Sequence, residues 1–296
     1  MIRRVLLVCH TGRPDAVAAA RQVWRLLAAG GVTVQVLDAE AGILDLPDTT
    51  PVVAKPQAVD DTDLVVVLGG DGTLLRAAEL AREPGVPLLG VNLGHIGFLA
   101  EAEPTDLAVT VDQLLAGRYD VEERATLDVQ VLLDGREIWS SWALNEVAVE
   151  KIARERMVDV LVEIDGRPFS EFGCDGIVVA TATGSTAYAF SAGGPILWPD
   201  VDALLVVPLN AHALFSRPVV VGPHAAVSLR IRSSTAWVTC DGRRSTELPS
   251  AASVRTTTSA QPVRLARVHA RPFVDRLVAK FGLPVRGWRN AGRVDD

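Results

Sequence analysis

The residues best suited to chemistry form the run Leu68-Gly69-Gly70-Asp71-Gly72-Thr73-Leu74-Leu75. It follows an apolar stretch, Leu64 to Leu68, that reads as a buried strand, and it opens a helical pattern. A parallel sheet places its ligands there, outside the carboxyl ends of the strands. Glycines let the backbone approach a phosphate and adopt positive φ. The following helix N-terminus offers unpaired N–H groups and a partial positive charge. Gly69, Gly70, Gly72 and Thr73 are therefore candidate phosphate-binding residues. Asp71 stands apart, because binding an anion does not call for a carboxylate. Its type points to a group that accepts, or orients, the proton of an attacking hydroxyl. The competing reading is a tight turn in which Asp71 caps the helix. The run is not a P-loop, since no Gly-x-x-x-x-Gly-Lys-Ser/Thr occurs, and Leu75 stands where the dinucleotide fingerprint would need a third glycine.

Two further clusters carry polar groups in apolar settings. The first runs from Cys174-Asp175-Gly176 through a buried-strand pattern to Thr183-Gly184-Ser185-Thr186-Ala187-Tyr188-Ala189-Phe190-Ser191. Small and hydroxyl-bearing residues after a strand can hydrogen-bond ribose and phosphate while lying close to a flat base. A Ser/Thr-rich turn of a β domain is the plainer reading. Ser185 lacks the Gly-x-Ser-x-Gly elbow of a serine hydrolase, because Thr183 and Ala187 hold the glycine positions. The second cluster is Asn145-Glu146, between Trp142-Ala143-Leu144 and Val147-Ala148-Val149. Unpaired polar groups inside such a strand are costly, and an amide beside a carboxylate suits a base edge and ribose hydroxyls. A solvent-facing pair at a strand end competes with that reading.

The elements that must position these residues fall into two patterns. Over the first third, apolar runs at Val5 to Cys9, Val32 to Leu37, Leu64 to Leu68 and Leu88 to Val91 predict strands buried on both faces. Helical patterns alternate with them, from Pro14 to Gly30-Gly31 and from a Thr105-Asp106 cap to Gly117. Asp38 to Thr62, with Pro47, Pro51 and Pro56, reads as an irregular, mobile surface loop. Beyond Tyr119 short alternating strands end in the turn signals Asp134-Gly135, Asp165-Gly166 and Asp241-Gly242. A helix is expected in this stretch only near Thr186 to Gly193. Phe273, Val274, Leu277, Val278 and Phe281 mark a final amphipathic helix. The expectation is an α/β N-terminal domain with a mostly parallel sheet (1–120), an all-β sandwich C-terminal domain (121–268), and a tail (269–296) that packs back on the first domain.

Length and composition bound the function. The chain has 296 residues, 49% hydrophobic and 22% charged, enough for two soluble cores. A net charge of -7 argues against nucleic acid as a partner. The three cysteines, Cys9, Cys174 and Cys240, match neither a zinc site nor a disulfide scaffold and read as buried thiols. No run approaches the roughly 18 apolar residues that span a membrane, and the first apolar run is too short for a signal segment, so a cytoplasmic protein without a membrane partner is expected. His95, His212 and His224 are isolated and read as structural or surface residues.

Taken together, the three clusters resemble the NAD kinase family, over most of the chain. The Gly-Gly-Asp-Gly-Thr segment alone is shared with diacylglycerol and sphingosine kinases. Asn145-Glu146, Asp175-Gly176 and Thr183 to Tyr188 are more specific, and Gly90 to Leu99 and Pro208 to Leu214 with Arg217-Pro218 also look like this family. The resemblance implies an NAD kinase/diacylglycerol kinase-like fold and phosphorylation of NAD to NADP by ATP or polyphosphate. It also implies a divalent cation, Mg2+, on the donor phosphates, and a homodimer or homotetramer in which a neighbour completes the site. By analogy Asp71 is the proton acceptor for the adenosine-ribose 2′-hydroxyl. Asp71-Gly72, Arg76, Asn145-Glu146, Arg156, Asp175 and Thr186 to Ser191 would line the NAD site, with Arg76 and Arg156 meeting phosphate or carboxylate groups. On the residues alone, those two arginines read as solvated. Ala182 stands where proline is frequent, and Arg243 where glutamine is usual. A lipid kinase of the same superfamily and a non-catalytic NAD-binding sensor are the rival readings.

Overall fold

The computed structural model describes residues 2–54, 57–93, 97–100, 106–152, 156–232, 235–268 and 272–284. Thr105 and His95, both named above, and most of the tail beyond the last helix lie outside these residues.

The chain begins β1 (Arg4–Cys9), α1 (Pro14–Ala29), β2 (Thr33–Leu37), α2 (Asp38–Leu44), β3 (Val52–Val53), β4 (Leu64–Leu68), α3 (Asp71–Ala81), β5 (Leu88–Val91) and α4 (Leu107–Leu115). Twelve strands follow a short β6 (Asp120–Arg124): β7 (Leu127–Leu133), β8 (Arg136–Ala143), β9 (Glu146–Lys151), β10 (Val158–Ile164), β11 (Arg167–Cys174), β12 (Gly176–Ala180), β13 (Leu204–Leu209), β14 (Val219–Val221), β15 (Val227–Ile231), β16 (Ala236–Cys240), β17 (Arg244–Leu248) and β18 (Ser253–Thr258). A one-turn α5 (Tyr188–Ser191) separates β12 from β13, and β19 (Val263–Arg267) and α6 (Phe273–Phe281) close the chain.

Two compact units result, residues 1–123 with 264–296, and residues 124–263. In the first, a seven-stranded sheet has the order β3-β2-β1-β4-β5-β19-β6, and its pairings from β3 through β19 are parallel. Strands β1 and β4 are apolar throughout their centres because helices cover both faces, and neither shows period-2 alternation. The strand order reverses between β1 and β4: β2 and β3 extend one way, β4 and β5 the other. Crossovers leave that point without a helix over the strand ends, which opens a crevice.

In the second unit, sheets β11-β10-β15-β18-β7-β8 and β14-β13-β12-β9-β16-β17 are antiparallel. Their inward side chains, among them Val129, Val160, Phe172, Ile177, Val206 and Val238, form one core. Each Asp-Gly hairpin signal is a turn with positive φ at both residues, 50° and 76° at Asp134-Gly135 for example.

Several expectations change. The segment from Asp38 to Thr62 is not one irregular loop: it contains α2, β3 and a 3-10 turn at Gln57–Val59. Two helical turns are too few to show a hydrophobic period, and the inward face of α2 carries Glu40 beside Leu44. Strands β6 and β19 were expected in the sandwich stretch, yet both join the parallel sheet, where β19 pairs with β5. The expected helix near Thr186 to Gly193 is a 3-10 turn, Thr183–Thr186, followed by α5. Asp106 precedes α4 without a side-chain cap.

Candidate active site

In the first unit the glycine run turns the chain from β4 into α3. Gly69 is the residue the turn requires: its φ is +156°, and a Cβ there would lie 2.5 Å from Thr73 Oγ1. Gly70 and Gly72 face open space and keep φ negative, so of the three only Gly69 uses positive φ. Asp71 does not cap α3, because Gly70 holds the cap position and no side chain bonds there. Instead the Asp71 carboxylate accepts hydrogen bonds from the backbone N–H groups of Phe98 and Leu99, each at 3.2 Å. Gly97 lies so close that a Cβ would strike the same carboxylate. The Phe98-Leu99 segment is itself anchored. Phe98 packs 5.9 Å from the rings of Phe273 and Phe281 on α6, Arg276 donates to the Phe98 carbonyl (3.0 Å), and Arg267 to that of Leu99 (3.2 Å).

Arg76, on α3, points to the end of β1. One of its nitrogens, Nη2, donates to Glu40 Oε1 (2.6 Å) and to the Cys9 carbonyl (2.7 Å), while Glu40 Oε2 accepts the Cys9 N–H (2.8 Å). The Glu40 side chain is 2% exposed. Arg76 is therefore a clamp on β1 at the switch point, not the solvated arginine that the residues alone suggested. Glu40 carried no legible signal, since a carboxylate in a short helix reads as surface. Burial, then the Glu40 charge, pushes the Cys9 thiol up to about 12, so it stays protonated and inert.

In the second unit Asn145 and Glu146 are each 8% exposed, which removes the solvent-facing alternative. Their peptides are held from two sides. The Asp241 carboxylate accepts the N–H groups of Leu144 (2.9 Å), Asn145 (2.7 Å) and Glu146 (3.3 Å). Thr181 donates its hydroxyl to the Leu144 carbonyl (2.6 Å) and its N–H to that of Asn145 (2.9 Å). Gly184 lies against the Asn145 peptide, where any Cβ would clash with the Asn145 carbonyl. The small residue at 184 is thus what lets the Thr183–Thr186 turn sit on Asn145. Glu146 Oε2 accepts the Tyr188 N–H at 3.4 Å. Burial, and then the Asp241 charge, push the Glu146 carboxyl up to about 8.

Nearby, a cavity of about 460 Å³ is lined by Glu150, Lys151, Asp175, Tyr188, Ser191 and Asn210, among others. Lys151 pairs with Asp175 at 2.5 Å and Asn210 donates to it at 2.9 Å, and together they hold its carboxyl below the usual range. The Tyr188 hydroxyl donates to Glu150 (2.8 Å).

Residues 5–119 match the ATP-NAD kinase N-terminal domain family and residues 144–268 the ATP-NAD kinase C-terminal domain family. The chain belongs to the NAD kinase family. It is 55% identical over 295 residues to NAD kinase 2 of Streptomyces avermitilis, covering 98% of this chain and 97% of that one. It is 52% identical over 301 residues to the NAD kinase of Mycobacterium tuberculosis, covering 97% and 98%. Its fold is similar to yeast NADH kinase complexed with NADH (TM-score 0.86, 23% identity, 100% and 90% coverage) and to an Archaeoglobus fulgidus NAD kinase in complex with ATP (TM-score 0.73, 24% identity, 96% and 100% coverage).

For an NAD kinase chain, the expected site residues sort unevenly. Gly69 to Thr73 gather at the switch-point crevice of one unit. In the other, Asn145, Glu146, Thr183, Thr186, Ala187 and Tyr188 gather around one turn, with Asp175 and Ser191 at the adjoining cavity. Phe190 is exposed on α5. Ala189 does not present its side chain: it is fully buried in the apolar cluster of Val178, Leu205 and Val207, because one face of α5 must pack on the sheet. Arg156 is exposed ahead of β10. Asp241, Arg244, Glu150 and Lys151 were legible only as turn or strand residues.

Proposed function

We propose that this NAD kinase transfers the terminal phosphoryl group of ATP or polyphosphate to the 2′-hydroxyl of the adenosine ribose of NAD, giving NADP. The observation that carries the reading is Asp71, a carboxylate anchored by two peptide N–H groups at the switch point of a parallel sheet, beside glycines that leave open space for phosphates. In the proposed step the ribose 2′-oxygen attacks the terminal phosphorus and its proton passes to Asp71. The new O–P bond forms as the bridging P–O bond breaks, and the shortened donor leaves with that electron pair. Positioning and charge neutralisation supply the acceleration. The turn at Gly69–Gly72 and the first N–H groups of α3 receive donor phosphates.

Asn145, Glu146, Asp175, Thr183 and the run Thr186 to Ser191 hold NAD, with Ala189 contributing backbone only, and Arg156 meets an anionic group. Arg76 supports the crevice through Glu40 and Cys9. Among the described residues no three His, Cys, Asp or Glu side chains gather to hold a metal. The divalent cation, Mg2+, would offset the charge of the donor phosphates. No helix among the described residues is long and apolar enough to cross a membrane. A cytoplasmic homodimer or homotetramer, with no nucleic-acid partner, completes the proposal.

The test is a coupled assay for NADP with purified protein, NAD, Mg2+ and either ATP or polyphosphate. Product with one donor or both is the expected outcome and identifies the donor. Asp71→Asn should lower kcat by about 10³-fold or more while NAD still binds. Near-normal turnover in that variant would remove Asp71 as the base, and NAD binding without product from the wild type would favour the sensor.

A further inference from the structure

Asp241 is a carboxylate whose side chain is 1% exposed. Three consecutive backbone N–H groups, those of Leu144, Asn145 and Glu146, point at it. Its own N–H donates to the Glu146 carbonyl (2.9 Å). A fourth donor is Arg244 Nη2 at 2.8 Å, and the same nitrogen donates to the Trp142 carbonyl at 2.8 Å. The Arg244 guanidinium lies 4.4 Å over the Trp142 ring, and its Nε donates to Ser141 Oγ (3.3 Å). Asp241 adopts φ 52°, a left-handed conformation that Asp tolerates better than most residues, so the β16–β17 turn aims the carboxylate inward.

A buried ion pair is a weak source of stability, since an apolar replacement of similar volume is often as stable. Its value lies in geometry. Here the anion gathers the peptides at the β8–β9 junction, and Thr181 satisfies the carbonyls of Leu144 and Asn145 from the other side. The backbone of the Asn145-Glu146 pair is thereby fixed by protein groups, which leaves the Asn145 amide and the Glu146 Oε1 atom to meet a ligand, Oε2 accepting the Tyr188 N–H.

We propose that Asp241 and Arg244 are positioning residues for NAD recognition, acting through Asn145 and Glu146. Asp241 sets the peptide planes from which those side chains project, and Arg244, stacked on Trp142, holds Asp241 in place. The proposal rests on the reading that Asn145 and Glu146 bind NAD. Because they act through Asn145 and Glu146 and not on the substrate itself, their loss should misplace the acceptor and leave the donor unaffected.

Steady-state kinetics on the full-length enzyme test this. Asp241→Asn keeps the shape but removes the charge, and Arg244→Gln removes the stacked cation. Each should raise the KM for NAD by about tenfold, with the KM for the phosphoryl donor unchanged. The decisive comparison is a double-mutant cycle with Asn145→Ala. If Asp241 acts through Asn145 and Glu146, the loss of NAD binding in Asp241→Asn combined with Asn145→Ala should fall well short of the sum of the two single losses. Independent, additive losses would overturn the proposal, as would an unchanged KM for NAD in Asp241→Asn and Arg244→Gln, or equal changes in both Michaelis constants. Should Asp241→Asn fail to fold, the cycle with Arg244→Gln decides by the same criteria. If Asn145→Ala itself leaves NAD binding intact, the underlying reading of Asn145 is wrong and the proposal falls with it. If Asn145→Ala weakens NAD while Asp241→Asn and Arg244→Gln do not, only the positioning role is lost.

Discussion

At the residue scale, the unusual group is Glu146, a carboxyl raised to about 8 by burial first and by the Asp241 charge second, with the Tyr188 N–H acting the other way. The folded value lies above the ordinary 4.5, so the folded chain holds that proton more tightly than the unfolded chain. The resulting stabilisation is complete below 4.5 and is lost as pH rises through about 8. Asp241 is shifted in the same direction, chiefly by burial. The melting temperature should therefore fall as pH is raised toward 8 and beyond, and Glu146→Gln should flatten that fall. A Glu146→Gln profile parallel to wild type would mean the carboxyl is already ionised at neutral pH. The same burial separates two polar residues that look alike in sequence: Asn145 is held in a built setting, whereas Arg156 stands exposed.

At the element scale, α2 and α3 meet through the Glu40–Arg76 pair, which grips the Cys9 peptide on both its N–H and its carbonyl. β2 ends at Leu37 and cannot pair with the last residue of β1. The side chain of Glu40 therefore takes the place of a strand neighbour at the switch point. Glu40→Ala leaves a partly buried Arg76 charge and an unpaired Cys9 N–H, so it should cost about 2 kcal/mol. Urea unfolding would read this as a lower midpoint with an unchanged slope. A loss under 1 kcal/mol, by contrast, would mean water replaces the carboxylate at little cost. On the other side of Asp71, α6 performs a similar service, because the Phe98-Leu99 peptides that hold Asp71 are fixed by Phe273, Phe281 and Arg276.

At the scale of the whole molecule, Phe169, Leu214 and Phe215 stay exposed on the sandwich, and the Phe169 and Phe215 rings meet edge to face at 5.9 Å. Exposed apolar area of this kind is costly unless another surface covers it. It accords with the proposed homo-oligomer. Light scattering on the purified enzyme should give two or four times the chain mass, and a monomer at working concentration would refute the assembly.

Local chemistry alone determined a good part of this protein. Apolar runs without alternation announced β1, β4 and β5, because strands covered on both faces need no polar side chains. Asp-Gly pairs announced the hairpins, because their turns need positive φ. The glycine run at 69–72, the Asn145-Glu146 pair and the Thr183 to Tyr188 run marked the candidate site, because polar and glycine residues in apolar surroundings need a reason to be there. What only the tertiary structure decided were contacts between residues distant in sequence. Glu40 meets Arg76 36 positions away, and Asp241 meets Asn145 96 positions away. Strands β6 and β19 joined the parallel sheet because long-range pairing set their place, which no local period encodes. The side chains proposed to meet ligand are thus readable from their own types, whereas those that hold them still are not, because their role lies in the partner and not in the residue.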